Sequence, residues 1–345
     1  MTDIRKMIKD GSHILILVGL LVLLYFILVF TGIAKCSSVP FGCELYWGVM
    51  GYATGGPRVL IVYGDSGLGN PIGGCTDEYC SLQDMLANPE FLGVRADTLH
   101  IDRVNTGNLR PYHLVIVERA RKISTEKLRA FIDYYGTGGR LVWTGDAGTE
   151  LGQSIVNGQI VTDEYLYLNE RQDDTNEHIK LGPWARKQGD LMISFDQLLS
   201  LTYRGNFCDI SPCKNDKPVY AGSLQPEPSL EHPLIRGMSV ELPLWVFDKE
   251  DFAIVNTLSG GITTEVLSLD FGTKIVTGTS LDTPPGLRDA NFSRSTPMIV
   301  TSGVGERVIY YAMPPELYAN PKLEGFDKGV YLLPLENMYY GIIKG

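Results

Sequence analysis

No charged side chain interrupts Ile14 to Phe30 (ILILVGLLVLLYFILVF), and Thr31-Gly32-Ile33-Ala34 carries the uncharged run to Lys35. About 20 apolar residues cross the ~30 Å hydrocarbon core of a bilayer, so this pattern predicts a transmembrane helix over residues 14–34. The run is long for a signal peptide that is cleaved. Ile33-Ala34-Lys35-Cys36 is close to a lipoprotein box, but Lys35 stands where a small residue belongs. Arg5, Lys6 and Lys9 precede the span and Lys35 alone follows it closely. By the positive-inside rule, residues 1–13 are a short cytoplasmic N-terminus and the rest lies outside the cell membrane. In the juxtamembrane segment 35–57, Tyr46, Trp47 and Tyr52 are expected near the lipid headgroups.

From Arg58 the pattern changes. Arg58-Val59-Leu60-Ile61-Val62-Tyr63 is a continuous apolar strand ending in Gly64-Asp65-Ser66-Gly67. A helix is expected over 77–86, a strand over 98–101 and another from His113 to Glu118. Ser124 can cap a helix, in which Leu128, Phe131, Ile132 and Tyr135 recur at helical spacing and form one apolar face. Gly136 is the expected left-handed cap, and Arg140 to Thr144 is a further strand. Strands without alternation, separated by helices, indicate a parallel sheet covered on both faces. The expectation is an α/β fold with a doubly wound, mostly parallel, flavodoxin-like sheet, preceded by one transmembrane helix.

Residues 150–235 break this rhythm with a polar run (Asn169 to Asp174) and several prolines. They are expected to be an insertion in one extracytoplasmic domain, 58–345, overhanging the carboxyl edge of the sheet. Such an insertion serves as a lid, as a docking surface or as a solvated elaboration. Strands resume at 252–255, 266–269, 274–277, 298–301 and 307–311, and a last helix is expected over 335–343.

Composition adjusts this picture. The net charge of −10 repels phosphate backbones, so no nucleic acid partner is expected. The six cysteines all follow the span and fall as close pairs: Cys36 with Cys43, Cys75 with Cys80, and Cys208 with Cys213. Three local disulfides in an oxidising compartment are the simplest arrangement; free thiols in a reducing one are the alternative. No CxxC knuckle exists and the five histidines do not cluster with cysteine, so no metal is expected. No cofactor is expected either. Asn291-Phe292-Ser293 is a glycosylation sequon.

The stretches RVLIVYGD, LRAFIDYYGTGGRLVWTGDAG, HPLIRGM and STPMIVTSGVGERVIYYAMPPE resemble the class I glutamine amidotransferase-like superfamily. The likeness is strongest to its ThuA-like and membrane-associated branches, and covers Arg58 to Ile343 apart from the insertion. In the active members an elbow of the form G-x-C-x-G supplies a thiolate, and a later strand ends in His-Pro-Glu. Here Asp146 falls at the elbow position and Pro314 at the histidine position, while Pro315 and Glu316 match the Pro-Glu. The resemblance therefore implies a domain that has lost its nucleophile and base.

Asp146 at a strand end can instead be a nucleophile or ligand, with Asp65 and Glu316 in the same crevice. The bland alternative makes Asp146 the cap of a following helix and Asp65 the cap of a turn. The block Gly64-Asp65-Ser66 also occurs in SGNH-type esterases, but their late Asp-x-x-His and Gly-x-Asn-Asp are absent. His232 sits in Glu231-His232-Pro233-Leu234 without an aspartate three residues before it. The expected function is a binding or scaffold subunit of a cell-envelope assembly, with membrane lipid and envelope proteins as partners. The competing expectation is a ThuA-like carbohydrate-binding or hydrolytic enzyme using Asp146, Asp65 and Glu316.

Overall fold

The computed structural model describes residues 2–31, 34, 36, 39–54, 58–72, 81–89, 92–156, 159–169, 178–180, 182–210, 213, 217–227, 231–238, 241–246, 251–258, 260–272, 294–318 and 333–338. The expected strand 274–277 and the sequon asparagine Asn291 lie outside these residues. So do Cys75 and Cys80.

Helix α1 (Thr2–Phe30) contains the apolar stretch, and its window His13–Phe30 has a mean hydropathy of 3.0 with only 6% of it buried. The helix is long and apolar enough to cross a membrane. The juxtamembrane segment holds a second helix, α2 (Gly42–Thr54), which aromatic and glycine content did not suggest. Its residues Cys43, Tyr46, Trp47 and Met50 recur at i, i+3, i+4 and i+7 and pack on the end of α1. Disulfides close Cys36–Cys43 and Cys208–Cys213. Two of the three expected loops are thus stapled, which fits an oxidising compartment. The third expected pair, Cys75 with Cys80, lies outside the described residues.

The body is built on a nine-stranded sheet. Its strands are β1 (Val59–Ser66), β2 (Ala96–His100), β3 (Leu114–Ala120), β4 (Arg140–Thr144), β5 (Val219–Pro226), β6 (Leu242–Val246), β7 (Thr263–Asp270), β8 (Ser295–Ser302) and β9 (Val308–Tyr311). Their order is β6-β5-β7-β8-β9-β4-β3-β1-β2. The half from β2 to β9 is parallel, and from β9 to β6 every pairing is antiparallel. The sheet is therefore mixed, where a mostly parallel one was expected. The cause lies in the connections. β8 and β9 are joined by the tight turn Gly303 to Arg307, too short for the crossover that parallel strands need. β5, inside the stretch read as an insertion, joins the main sheet beside β7. The expected strand at 252–255 exists as Ala253–Thr257, but it pairs with Leu201–Asn206 outside the main sheet.

Helix α3 (Leu82–Ala87) is shorter than expected, and residues 77–80 are not among those described. Helix α4 (Thr125–Gly136) starts at Ser124, whose hydroxyl accepts from the Lys127 amide. Phe131 packs edge-on against Trp143 of β4, their ring centroids 5.4 Å apart. The left-handed residue beyond the helix is Gly138, at φ 98°, and not Gly136, which remains helical. The closing helix spans 333–338 among the described residues.

Between β4 and β5 the chain makes small antiparallel ladders: Gln153–Val156 with Gln159–Thr162, Tyr167–Asn169 with His178–Lys180, and Ala185–Gln188 with Leu191–Ser194 and Glu164–Tyr165. Helix α5 (Phe195–Leu199) follows and places Phe195 on Trp143, 4.5 Å between centroids. Arg186 locks these ladders to the core. Its guanidinium is fully buried and donates to the carbonyls of Pro183, Ile123, Gly148 and Glu150.

Candidate functional site

Parallel strands end together, so whatever follows β1, β3, β4 and β9 converges on one edge of the sheet. Four acidic side chains stand there, and the structure separates them into two kinds. Asp65 is the outlier. Its carboxylate is exposed and pairs with His100 Nε2 at 3.2 Å, so it does not share a crevice with Asp146.

Asp146 and Glu316 both accept from one loop, at Leu68 and Asn70, and Glu316 faces Glu118 at the end of β3. All three are buried. Asp146 lies in a turn held by glycines of positive φ, Gly145 at 52° and Gly148 at 68°. Indole nitrogens of Trp143 and Trp184 both donate to the Ala147 carbonyl at 2.9 Å, and Tyr310 donates to the Gly145 carbonyl at 2.8 Å. No helix follows this turn. The chain continues into the short strand Glu150–Leu151, parallel to Lys122–Ile123. Asp146 is thus neither at a helix N-terminus nor a helix cap. Its Oδ1 accepts from the Leu68 amide at 2.8 Å and its Oδ2 from Asn206 Nδ2 at 3.2 Å, while Arg121 forms an ion pair at 3.1 Å.

The Leu68 amide belongs to the loop Ser66-Gly67-Leu68-Gly69-Asn70, which lies across the carboxylates. Asn70 donates its amide to Glu316 Oε1 at 3.1 Å. Backbone bonds tie the loop to the far end of β3: Arg119 donates to the Leu68 carbonyl and Arg121 to that of Ser66. Gly67 and Gly69 take φ values of 123° and 119°. A Cβ on Gly69 would stand 2.7 Å from Glu118 Oε1. Gly69→Ala should therefore destabilise the chain by roughly 2 kcal/mol through clash and backbone strain. Thermal unfolding of the detergent-solubilised chain measures this, and an unchanged melting temperature would show that the loop does not sit on Glu118.

Glu118 and Glu316 face each other without a counter-ion between them. As two carboxylates they are acceptors only, and both Glu118 oxygens and Glu316 Oε2 would lack a donor. One shared proton removes that conflict. Burial, then the neighbouring Glu316 charge, pushes the Glu118 carboxyl well above its ordinary range. Burial raises Glu316 too, against the opposing Glu118 and Asn70 hydrogen bonds. The pair titrates as a unit and shares its proton. Nearby, Asp251 accepts from the amides of Cys208 at 2.9 Å and Phe252 at 2.8 Å, and burial raises it to about 7.

Sequence reasoning named Asp146 and Glu316 but gave no role to Glu118, Arg121 or Asn206. A glutamate closing an apolar parallel strand was the available signal for Glu118. Asn206 comes from the irregular region and carried none. His232 is a clamp. Its Nδ1 accepts from the Leu234 amide at 3.2 Å, and its Nε2 meets Glu306 Oε2 at 3.0 Å in the turn before β9. Pro314 precedes the turn Pro315–Tyr318, and its carbonyl accepts from the Leu317 amide. Among the described residues no group of three or more His, Cys, Asp or Glu is arranged to hold a metal ion.

No protein-family model matches the chain. No curated protein matches it. Among solved structures it is similar to a ThuA-like protein from Bacteroides uniformis, at 16% identity over 83% of this chain and 92% of that one, with a TM-score of 0.47. It is similar to a β-galactosidase from a Rahnella species at 13% identity, 82% and 31% coverage and a TM-score of 0.42. An α-L-fucosidase isoenzyme from Paenibacillus thiaminolyticus gives 12% identity, 83% and 32% coverage and 0.41. The chain spans about a third of the two glycosidases.

Proposed function

We propose that this chain is a membrane-anchored, extracytoplasmic binding subunit of a cell-envelope assembly, with a doubly wound GATase-like core that does not turn over substrate. The observation that supports this is the loop 66–70 lying on Glu118, Asp146 and Glu316. The acidic groups at the strand ends bind their own chain and offer no free nucleophile or base. The long apolar helix and the disulfides support the location, and the irregular ladders between β4 and β5 offer a docking surface. Gentle solubilisation of the native membrane, purification of this chain and measurement of the particle's mass and composition test the proposal. A defined hetero-complex of fixed stoichiometry is expected. A lone monomer or homodimer would overturn it.

One observation favours the competing enzyme reading. Two adjacent buried carboxyls that share one proton are equipment that acid–base chemistry also uses. That reading requires the loop 66–70 to leave its place and carbohydrate to reach Glu118 and Glu316. Saturable binding of a sugar to the purified chain, abolished by Glu316→Gln, would bring it forward.

A further inference from the structure

We infer that residues 39–49 are an amphipathic foot: the exposed side chains Val39, Phe41, Leu45 and Val49 lie in the boundary between headgroups and acyl chains of the same bilayer that α1 crosses. This deepens the membrane-anchored reading and rests on it.

The inference starts from how α2 is held. Tyr46 stacks on Phe26 with centroids 5.6 Å apart, and Phe26 is one helical turn inside the end of α1. Tyr25 donates its hydroxyl to the Cys36 carbonyl at 3.2 Å. The Cys36–Cys43 disulfide closes the connection. Helix α2 therefore folds back beside the last turn of the apolar helix, and does not lead away from it. At 1.5 Å per residue, Phe26 lies about 6 Å inside the end of the helix, which is the depth of the acyl boundary when α1 spans the bilayer.

The inward face of α2 is fully used. Cys43 and Tyr46 are buried, and the Trp47 indole donates to the Leu92 carbonyl of the main domain at 2.6 Å. The outward face has no such partner surface among the described residues of the domain: Phe41 is 79% exposed, Leu45 50%, Val39 47% and Val49 47%. The turn of α1 on which α2 packs also leaves Ile27 and Phe30 exposed. An exposed apolar face on a helix held against the end of a membrane-crossing helix fits lipid. Tyr46 and Trp47, expected near the headgroups, make protein contacts, and their neighbours on the other face are the ones this inference places in the lipid. Because Trp47 and the disulfide also hold Leu92 and Gly93, the foot fixes which side of the domain faces the bilayer.

The test uses the full chain in phospholipid vesicles. An environment-sensitive fluorophore is attached at Leu45→Cys, with Leu21→Cys in the middle of the span and Ile262→Cys on the main domain as references. The unsubstituted chain carried through the same labelling is the blank. Nitroxides on lipids near the headgroup should extinguish most Leu45→Cys emission and leave Ile262→Cys unchanged, while nitroxides at the acyl terminus should act mainly on Leu21→Cys. If Leu21→Cys is quenched and Leu45→Cys responds only to a water-soluble quencher, or to neither quencher because protein covers it, the foot is overturned and the anchor stands. If Leu21→Cys also escapes lipid quenching, the membrane reading falls with it.

Discussion

Replacing Arg186 with methionine should cost about 3 kcal/mol of stability, among the largest effects of any substitution outside the apolar core. The guanidinium is buried, and four carbonyls converge on it from Pro183, Ile123, Gly148 and Glu150. Ile123 keeps one other donor, the Gly152 amide. Each buried carbonyl left without a donor costs about 1–3 kcal/mol. The loss is partly offset, because a methionine escapes the cost of burying a charge. Burial already depresses Arg186 to about 10, which shows that this cost is real. A lysine, a point charge without the planar fork, cannot reach all four carbonyls and should fall between. Chemical unfolding of the detergent-solubilised chain, followed by near-ultraviolet circular dichroism of the buried tryptophans, gives the number. A methionine variant within about 0.5 kcal/mol of the natural chain would show that the ladders stand without this clamp.

Arg186 also marks where the sequence stopped being legible. The parallel half of the sheet was readable because its strands are buried on both faces and their apolar runs are uninterrupted. β1, β3, β4 and β9 all appear where the pattern puts them. The α1 and α4 helices follow for the same kind of reason, one from length and the other from a cap and a periodic face. Between 150 and 235 the local signal vanishes, although strands expected at 266–269 and 298–301 lie within β7 and β8. The ladders there are two to four residues long, and their pairing is set by contacts with distant residues such as Arg186 with Gly148. β5 reads Val219-Tyr220-Ala221-Gly222-Ser223-Leu224-Gln225-Pro226, a strand with no clean alternation because a bulge interrupts it at Gly222. At the site, the turn after β4 looked like an elbow leading into a helix, because glycines and a small residue serve any tight turn. Only the third dimension shows that the carboxylate is taken up by Leu68, Asn206 and Arg121.

Stability should decline as the pH rises above about 4.5, and Glu118→Gln should abolish much of that decline. A carboxyl that is more basic in the folded chain keeps its proton at pH values where the unfolded chain has lost it. The folded state then holds the extra proton from about pH 4.5 up to Glu118's raised value, so its stability is whole at the acid end and is lost across that window as pH rises. Asp251 acts in the same direction from 3.8 to about 7. Each group contributes a slope of up to about 1.4 kcal/mol per pH unit within its window. In Glu118→Gln the amide donates to Glu316 at every pH, imitating the shared proton, so the variant should match the natural chain at acid pH and exceed it progressively toward neutrality. Asp251→Asn should remove Asp251's own share of the slope below about pH 7, while its Oδ1 still accepts from the Cys208 and Phe252 amides. Unfolding midpoints measured from pH 4 to 8 separate these cases. Parallel profiles for the natural chain and Glu118→Gln would mean that the two glutamates do not share a proton. A converging pair of profiles at acid pH would locate the proton between β3 and the turn after β9, directly beneath the loop that covers the strand ends.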